Sequence, residues 1–367
     1  MEPTKYFSWK KGGLTEGCEQ CVRGEKTVLF ITGVCNRKCF YCPISDRKMN
    51  FDDVYANEWK IQKFDDLVEE IKLCDSKGVG ITGGDPLLKT DRCAAYIKKL
   101  KQIFGKKFHI HLYASLKNLT KEKLDKLYSA GLDEIRFHPD LENKGEWKKI
   151  GWAKDYGWKT GVEVPVIPKK EKGTIALIKF INDKVDFLNL NELEIADNKT
   201  CKLSEMGYKT KDSLSYGIKG SQEMALKISK FAEIPVHFCT CKLKDAVQLR
   251  NRIMRRAKNV AKPFEKVTSD GTIVKGVVFL DEVPPGSDYD FVLRKLDCVE
   301  LLSRIKMIRA EIVRRFRINP EEILIDLKKM RIVTGVSQLK RIKLKNRAVV
   351  EEMPTKDALE MEVEFLK

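Results

Sequence analysis

Residues 27–42 read TVLFITGVCNRKCFYC. The stretch 27–32 is a short apolar run, ended by Gly33, with the pattern of a buried strand. Cys35, Cys39 and Cys42 follow at once, on a loop at the carboxyl end of that strand. Three thiolates this close together suit three irons of a four-iron cluster, and a loop lets backbone N–H groups reach the sulfides. Structural zinc sites more often pair two CxxC units and close with four protein ligands. Three local thiolates leave one position open.

Outward from this run, strand and helix patterns alternate. Strand patterns at 27–32, 79–82, 108–115, 134–139, 162–167 and 187–195 are separated by helical spacing at 63–73, 90–104, 120–129, 146–156 and 174–182. In the first of these helices Phe64, Leu67, Val68 and Ile71 recur at three- and four-residue intervals. Repeating strand–helix units predict a parallel sheet covered by helices, open or curled toward a barrel. In either form, ligands gather at the carboxyl ends of the strands. The second of those ends carries Gly83-Gly84-Asp85-Pro86.

With both motifs on successive strands, the sequence resembles the radical S-adenosylmethionine (SAM) superfamily. The likeness rests on CxxxCxxC after the first strand, Tyr41 before the third cysteine, and Gly83-Gly84-Asp85-Pro86 in place of GGE-P. It covers about residues 27–195, half the chain. The expected fold class is α/β, a partial (β/α)6 radical SAM barrel followed by a smaller basic α+β domain. The resemblance implies that Cys35, Cys39 and Cys42 ligate a [4Fe-4S] cluster and that SAM chelates the open iron. It places Tyr41 near the adenine, and Gly83 and Gly84 close to the SAM amino group, with Asp85 standing where Glu is commoner. Ser115, His138 and Glu163 are the strand-end residues expected to face the cofactor, with Glu192 or Glu194 behind them. The implied chemistry is reductive cleavage of SAM to a 5′-deoxyadenosyl radical, which takes a hydrogen atom from a substrate. A ferredoxin- or flavodoxin-type donor would supply the electron.

The flanks carry more cysteines. Cys18-x-x-Cys21 precedes the barrel and Cys239-x-Cys241 follows it. If the barrel brings them together, the four thiols suit tetrahedral zinc or a second iron–sulfur cluster; free thiols are the alternative. Cys74, Cys93, Cys201 and Cys298 are isolated and expected to be buried or inert. His109 and His111 alternate along a strand and are expected to be structural. The domain reading is an N-terminal segment 1–26, the core 27–195, a connecting segment 196–242 packed on the barrel with a helix at 221–231 and a short strand at 234–238, and a basic α+β domain 243–367. That last domain opens on a basic helix at 243–262, followed by a hairpin at 266–280, a helix at 293–316 and strands within 323–334 and 359–365.

Net charge is +17. Residues 240–367 hold 28 Lys and Arg against 19 Asp and Glu, so this third of the chain is the more basic. That raises tRNA or other RNA as a partner, although no base-stacking aromatic signature accompanies the basic helix. A solvated lysine-rich surface is the plainer reading. No apolar run is long enough to span a membrane, and the N-terminus lacks a signal-peptide pattern. The expected location is cytoplasmic. The compact CxxxCxxC and barrel also resemble pyruvate formate-lyase-activating enzyme and related activases, which act on a peptide glycine. A small-metabolite substrate stays open beside a peptide. A non-enzymatic iron–sulfur or zinc module is the remaining class, and the paired SAM motifs argue against it.

Overall fold

Lys26–Phe30 is the first of seven parallel strands, followed by Gly78–Thr82, His109–Ser115, Glu134–His138, Lys159–Val166, Phe187–Glu192 and Val236–Cys239. Each is hydrogen-bonded to the next in chain order. The structure, a computed structural model, describes residues 1–367. Val28 on the first strand and Asn191 on the sixth line one cavity, so the sheet curls around it. The first and seventh strands do not pair, and the barrel is therefore partial. Sequence patterning predicted six strands here. The seventh is the short strand expected at 234–238 in the connecting segment, found at Val236–Cys239 and paired into the same sheet. Its free edge takes Trp9–Lys11 antiparallel, and Glu2–Pro3 pairs in turn with that strand. Two strands of the N-terminal segment are thus part of the same sheet.

The covering helices form where the apolar spacing is helical. Phe64–Leu73 buries Leu67 and Ile71, and Thr90–Phe104 buries Cys93, Ile97 and Leu100. Lys121–Ala130 is bounded by a Thr120 hydroxyl that accepts from Lys123 N–H at 3.3 Å, and by Gly131 at φ +98°. Both ends follow from capping chemistry. The helix expected at 146–156 is instead a 3-10 run, Lys144–Ala153. Its buried residues, Trp147, Ile150 and Ala153, recur every third position, which is the 3-10 repeat.

The polar N-terminal segment also holds a short helix, Glu16–Val22, at the amino end of the barrel. A Cβ on Gly17 would lie 2.6 Å from Arg136 Nη2 and 2.8 Å from Glu134 Oε1. Only a glycine lets this helix seat against the charged groups inside the barrel.

The chain divides into two compact units, Met1–Arg252 and Ile253–Lys367. The division falls inside the basic helix, ten residues after the expected boundary at 243. That helix is itself composite: Cys241–Leu243 is one α-turn, Lys244–Leu249 is π-helical, and Arg250–Val260 is α-helical. The second unit is an antiparallel sheet ordered Ile323–Asp326, Arg331–Thr334, Ile273–Val278, Arg347–Glu352, Glu360–Leu366, with Lys266–Val267 also on Ile273–Val278. Leu301, Ile305 and Ile312 of the helix Cys298–Phe316 join its core. The expected helix 293–316 is broken, because Asp297 accepts from Val299 and Glu300 N–H and starts a new one. The strand Arg347–Glu352 escaped the sequence reading. Its charged ends are buried, and Glu352 meets the fully buried Arg331 together with Lys329 and Lys275.

Candidate functional site

Beyond Phe30 the strand pairing continues into the cysteine loop. Ile31 N–H reaches Thr82 O at 2.9 Å, Gly84 N–H reaches Thr32 O at 2.8 Å, and Asp85 N–H reaches Val34 O at 2.9 Å. A Cβ on Gly83 or Gly84 would lie 2.3 Å from Thr32 O or Val34 O respectively. The sequence reading assigned these glycines to the approach of a cofactor amine. Their missing Cβ atoms serve close packing against the chain that leads to Cys35.

Other strand ends hold the loop as well. Asn36 and Asn118 exchange amide hydrogen bonds of 2.8 and 2.9 Å. Arg37 Nη1 donates to His138 O at 2.6 Å. Asn198 Nδ2 donates to Cys42 O at 3.0 Å, and Lys202 N–H to Phe40 O at 2.7 Å. Cys35, Cys39 and Cys42 are half-buried free thiols on one cavity of about 630 Å³, a volume suited to a small organic ligand. Arg37 N–H points at Cys35 Sγ from 3.4 Å, and Ile44 N–H bonds Cys42. Burial pushes the Cys35 and Cys42 thiols up, and these amides act against it. Three thiols with amide donors and no protein ligand closing the set fit a four-iron cluster with one open position.

Tyr41, Gly83, Gly84, Ser115, His138 and Glu163 line this cavity. His138 Nδ1 is 2.9 Å from Glu163 O, a carbonyl that can only accept. The proton therefore sits on Nδ1, and Nε2 accepts from Tyr41 Oη at 3.0 Å. Burial, with Arg37 nearby, lowers the His138 pKa to about 4, so the ring is neutral. Burial alone would raise Glu163. Arg136 at 3.0 Å, with Asn189 and Asn191 at 2.9 Å, outweighs it and holds the carboxyl below its usual range.

Asp85 differs from expectation. It is 1% exposed, and its carboxylate accepts from Ser115 Oγ, Asn118 Nδ2 and Leu87 N–H. Those bonds orient Ser115 and Asn118, and Asp85 is not among the cavity-lining residues. Glu192 pairs with Lys211 and accepts from Cys241 N–H, and Glu194 pairs with Lys244, both away from the cavity lining.

Of the flanking cysteines, Cys18, Cys21 and Cys239 lie near enough to act on one another's charge. No three His, Cys, Asp or Glu side chains anywhere in the chain converge tightly enough for a single metal ion. Cys18 Sγ accepts from Asn189 Nδ2 at 3.3 Å and from Arg136 Nη2 at 3.5 Å. Cys241 lies 3.8 Å from Glu194 Oε2 instead. Burial raises Cys21 to about 11 and Cys239 to about 12, so both are thiols. Cys21 lines the cavity, and Cys298 is exposed rather than buried.

Sequence reasoning missed Lys26, Tyr113, Arg136, Lys244 and Gln248. Arg136 did leave a signal: an arginine in the middle of the strand pattern EIRFH needs buried partners, and it has Glu134 and Glu163. The arginines of the basic helix are engaged. Arg252 bonds Glu58, Arg256 is buried against Pro354 O, and Arg250 and Arg255 also have partners.

The radical SAM superfamily pattern matches residues 29–144. A protein of Methanocaldococcus jannaschii, provisionally named a glycyl-radical enzyme activating enzyme, is 39% identical over 98% of this chain and 95% of its own. A GTP 3′,8-cyclase of Lactiplantibacillus plantarum is 31% identical over 44% of this chain and 48% of its own. Coproporphyrinogen III oxidase of Escherichia coli, a solved radical SAM enzyme, covers 92% of this chain and 94% of its own at 11% identity. Its TM-score is 0.35, too low to carry an argument. None of these relatives is named for an RNA substrate, so they lend the expected tRNA or RNA partner no support. No helix is long and apolar enough to cross a membrane.

Proposed function

The chain belongs to the radical SAM superfamily, and from that premise we propose that it activates a glycyl-radical enzyme by taking a hydrogen atom from a peptide glycine. The observation that carries this reading is the 39% identity, sustained over 98% of the chain, to a relative provisionally named for that activity. The enzyme uses a [4Fe-4S] cluster and SAM. In this reading Cys35, Cys39 and Cys42 would hold the cluster and leave it one open position for SAM. These groups supply one-electron cleavage of the C5′–S bond, and so the carbon radical that takes hydrogen.

The protein's part is positioning and exclusion of water. The backbone pairing of Thr32 and Val34 with Gly84 and Asp85 sets where the cysteines start. The neutral His138, locked between Glu163 O and Tyr41 Oη, makes a wall without charge. Glu163 stays ionised and is held on three sides by Arg136, Asn189 and Asn191. It offers a fixed acceptor to a hydroxyl of SAM or to the substrate. Hydrogen-atom transfer would take one hydrogen from the glycine Cα to the cofactor-derived radical and leave the unpaired electron on the glycine. No side chain need act as acid or base in that step. An external one-electron donor of ferredoxin or flavodoxin type completes the cycle.

The test uses the anaerobically reconstituted, reduced protein with SAM and a peptide carrying a central α,α-dideuterioglycine. Deuterium should appear in 5′-deoxyadenosine. C39A should lose both the visible cluster absorbance and SAM cleavage, and retention of both would remove the ligand assignment. SAM cleavage with deuterium acquired from another substrate class, and none from glycine, would overturn the activase reading.

A further inference from the structure

A glycine has no side chain to recognise. A protein that selects one within a peptide can read the flanking main-chain amides, each with one donor and one acceptor. The wall between the seventh strand and the first carries groups of this kind. The chain leaves the seventh strand at Cys239, and Thr240 Oγ1 caps the following turn by accepting from Leu243 N–H at 3.0 Å. Leu243 and Val247 then pack on Val22, next to the first strand. Between and beyond them, the π-helical segment Lys244–Leu249 sets Lys244 and Gln248 into the lining of the cavity that holds Cys35, Cys39 and Cys42. Widened turns of this type are costly and recur at functional positions.

The three polar groups along this wall are held but not exhausted. Lys244 Nζ gives one hydrogen bond, 2.9 Å to Glu194 Oε2, and an ammonium has three donors. Gln248 Nε2 lies 3.9 Å from Cys239 Sγ, a weak contact. Asn191, which pairs in register with Cys239, donates through Nδ2 to Glu163 Oε1 at 2.9 Å. The side-chain carbonyl oxygens of Asn191 and Gln248 accept no hydrogen bond within the chain. The wall therefore offers spare cationic donors for peptide carbonyls and two carboxamide acceptors for peptide N–H groups.

We propose that Lys244 and Gln248, with Asn191 beside them, grip the main chain of the substrate peptide next to the reacting glycine. They are specificity residues, not catalytic ones, and the inference rests on the activase reading.

The experiment compares two peptides, each with a central α,α-dideuterioglycine among alanines, one of them N-methylated at the amide following the glycine. Deuterium transfer to 5′-deoxyadenosine is measured with the reduced holoenzyme and with Q248A, K244M and K244R, each at equal iron content. The wild type should favour the unmethylated peptide in kcat/KM by about threefold to tenfold, the value of one neutral hydrogen bond. Q248A should lose that preference. K244M should raise KM for both peptides by about tenfold or more, as for a bond to a charged group, and K244R should restore much of it. Equal discrimination by wild type and Q248A, together with an unchanged KM in K244M, overturns the grip and leaves the activase reading standing. Absence of transfer from any glycine peptide by the wild type overturns both.

Discussion

At the scale of single residues, glycines decide where the cysteines stand. Gly83 and Gly84 let the second strand lie against Thr32 and Val34, and the Cys35 loop inherits its position from that contact. G84A would place a Cβ 2.3 Å from Val34 O, against backbone that has no rotamer by which to retreat. We expect a cost of about 1–3 kcal/mol, and iron content after reconstitution falling toward that of C39A while far-ultraviolet circular dichroism is kept. Normal iron in G84A would show that the loop positions itself without this contact. Asp85 illustrates a motif residue whose identity was legible and whose role was not. The sequence showed an acidic residue after two glycines. Only its burial and its bonds to Ser115 and Asn118 show that it orients neighbours.

At the scale of elements, the short helix Glu16–Val22 opposes local preference to tertiary fit. Alanine is favoured over glycine inside a helix by about 1 kcal/mol, so propensity alone predicts that G17A stabilises. The added Cβ would lie 2.6 Å from Arg136 Nη2 and 2.8 Å from Glu134 Oε1, within a buried ion pair. Disturbing such a pair costs several kcal/mol. G17A should therefore be net destabilising by at least about 1 kcal/mol in chemical denaturation. A neutral or stabilising result would show that the helix can slide away from the barrel floor. The sequence hid this helix because seven residues with two cysteines and a glycine carry too little apolar periodicity to register. The 3-10 run Lys144–Ala153 was mistaken for an α-helix for the opposite reason, since Trp147, Ile150 and Ala153 also satisfy part of the α pattern.

At the scale of the whole molecule, two units are each organised around buried charge as well as apolar packing. In the second unit Glu352 is 1% exposed and meets Arg331, Lys329 and Lys275. Burial by itself would raise its pKa, but these three cations outweigh it and hold it at about 2. The folded value is depressed, so the stabilisation is fully present above the unfolded pKa of about 4.3. It is lost progressively as pH falls from there toward 2. E352Q removes the carboxylate that these buried cations share, while Arg331 and Lys329 keep Glu360 and Lys275 keeps Glu265, and it should cost about 1–3 kcal/mol in the unfolding transition of this unit at pH 7. The same variant should flatten the loss of stability between pH 5 and pH 3. A variant as acid-sensitive as the wild type would place the acid-labile group elsewhere.

The sequence by itself determined the chemistry and the barrel. Cys35, Cys39 and Cys42 follow a strand, Gly83-Gly84 follows the next, and both signals are local, written in adjacent residues and in a repeating period. The tertiary structure decided what depends on residues far apart in the chain. It joined the short strand at 236–239 to the barrel as its seventh, because a strand's own residues do not say which neighbour it pairs with. It set Cys241 beside Glu194 and Cys18 beside Asn189 and Arg136, because spacing along the chain does not say where two ends of a barrel meet. It also turned Lys244 and Gln248 toward the cavity, because a π-helical turn rephases side chains in a way that α-helical periodicity cannot predict.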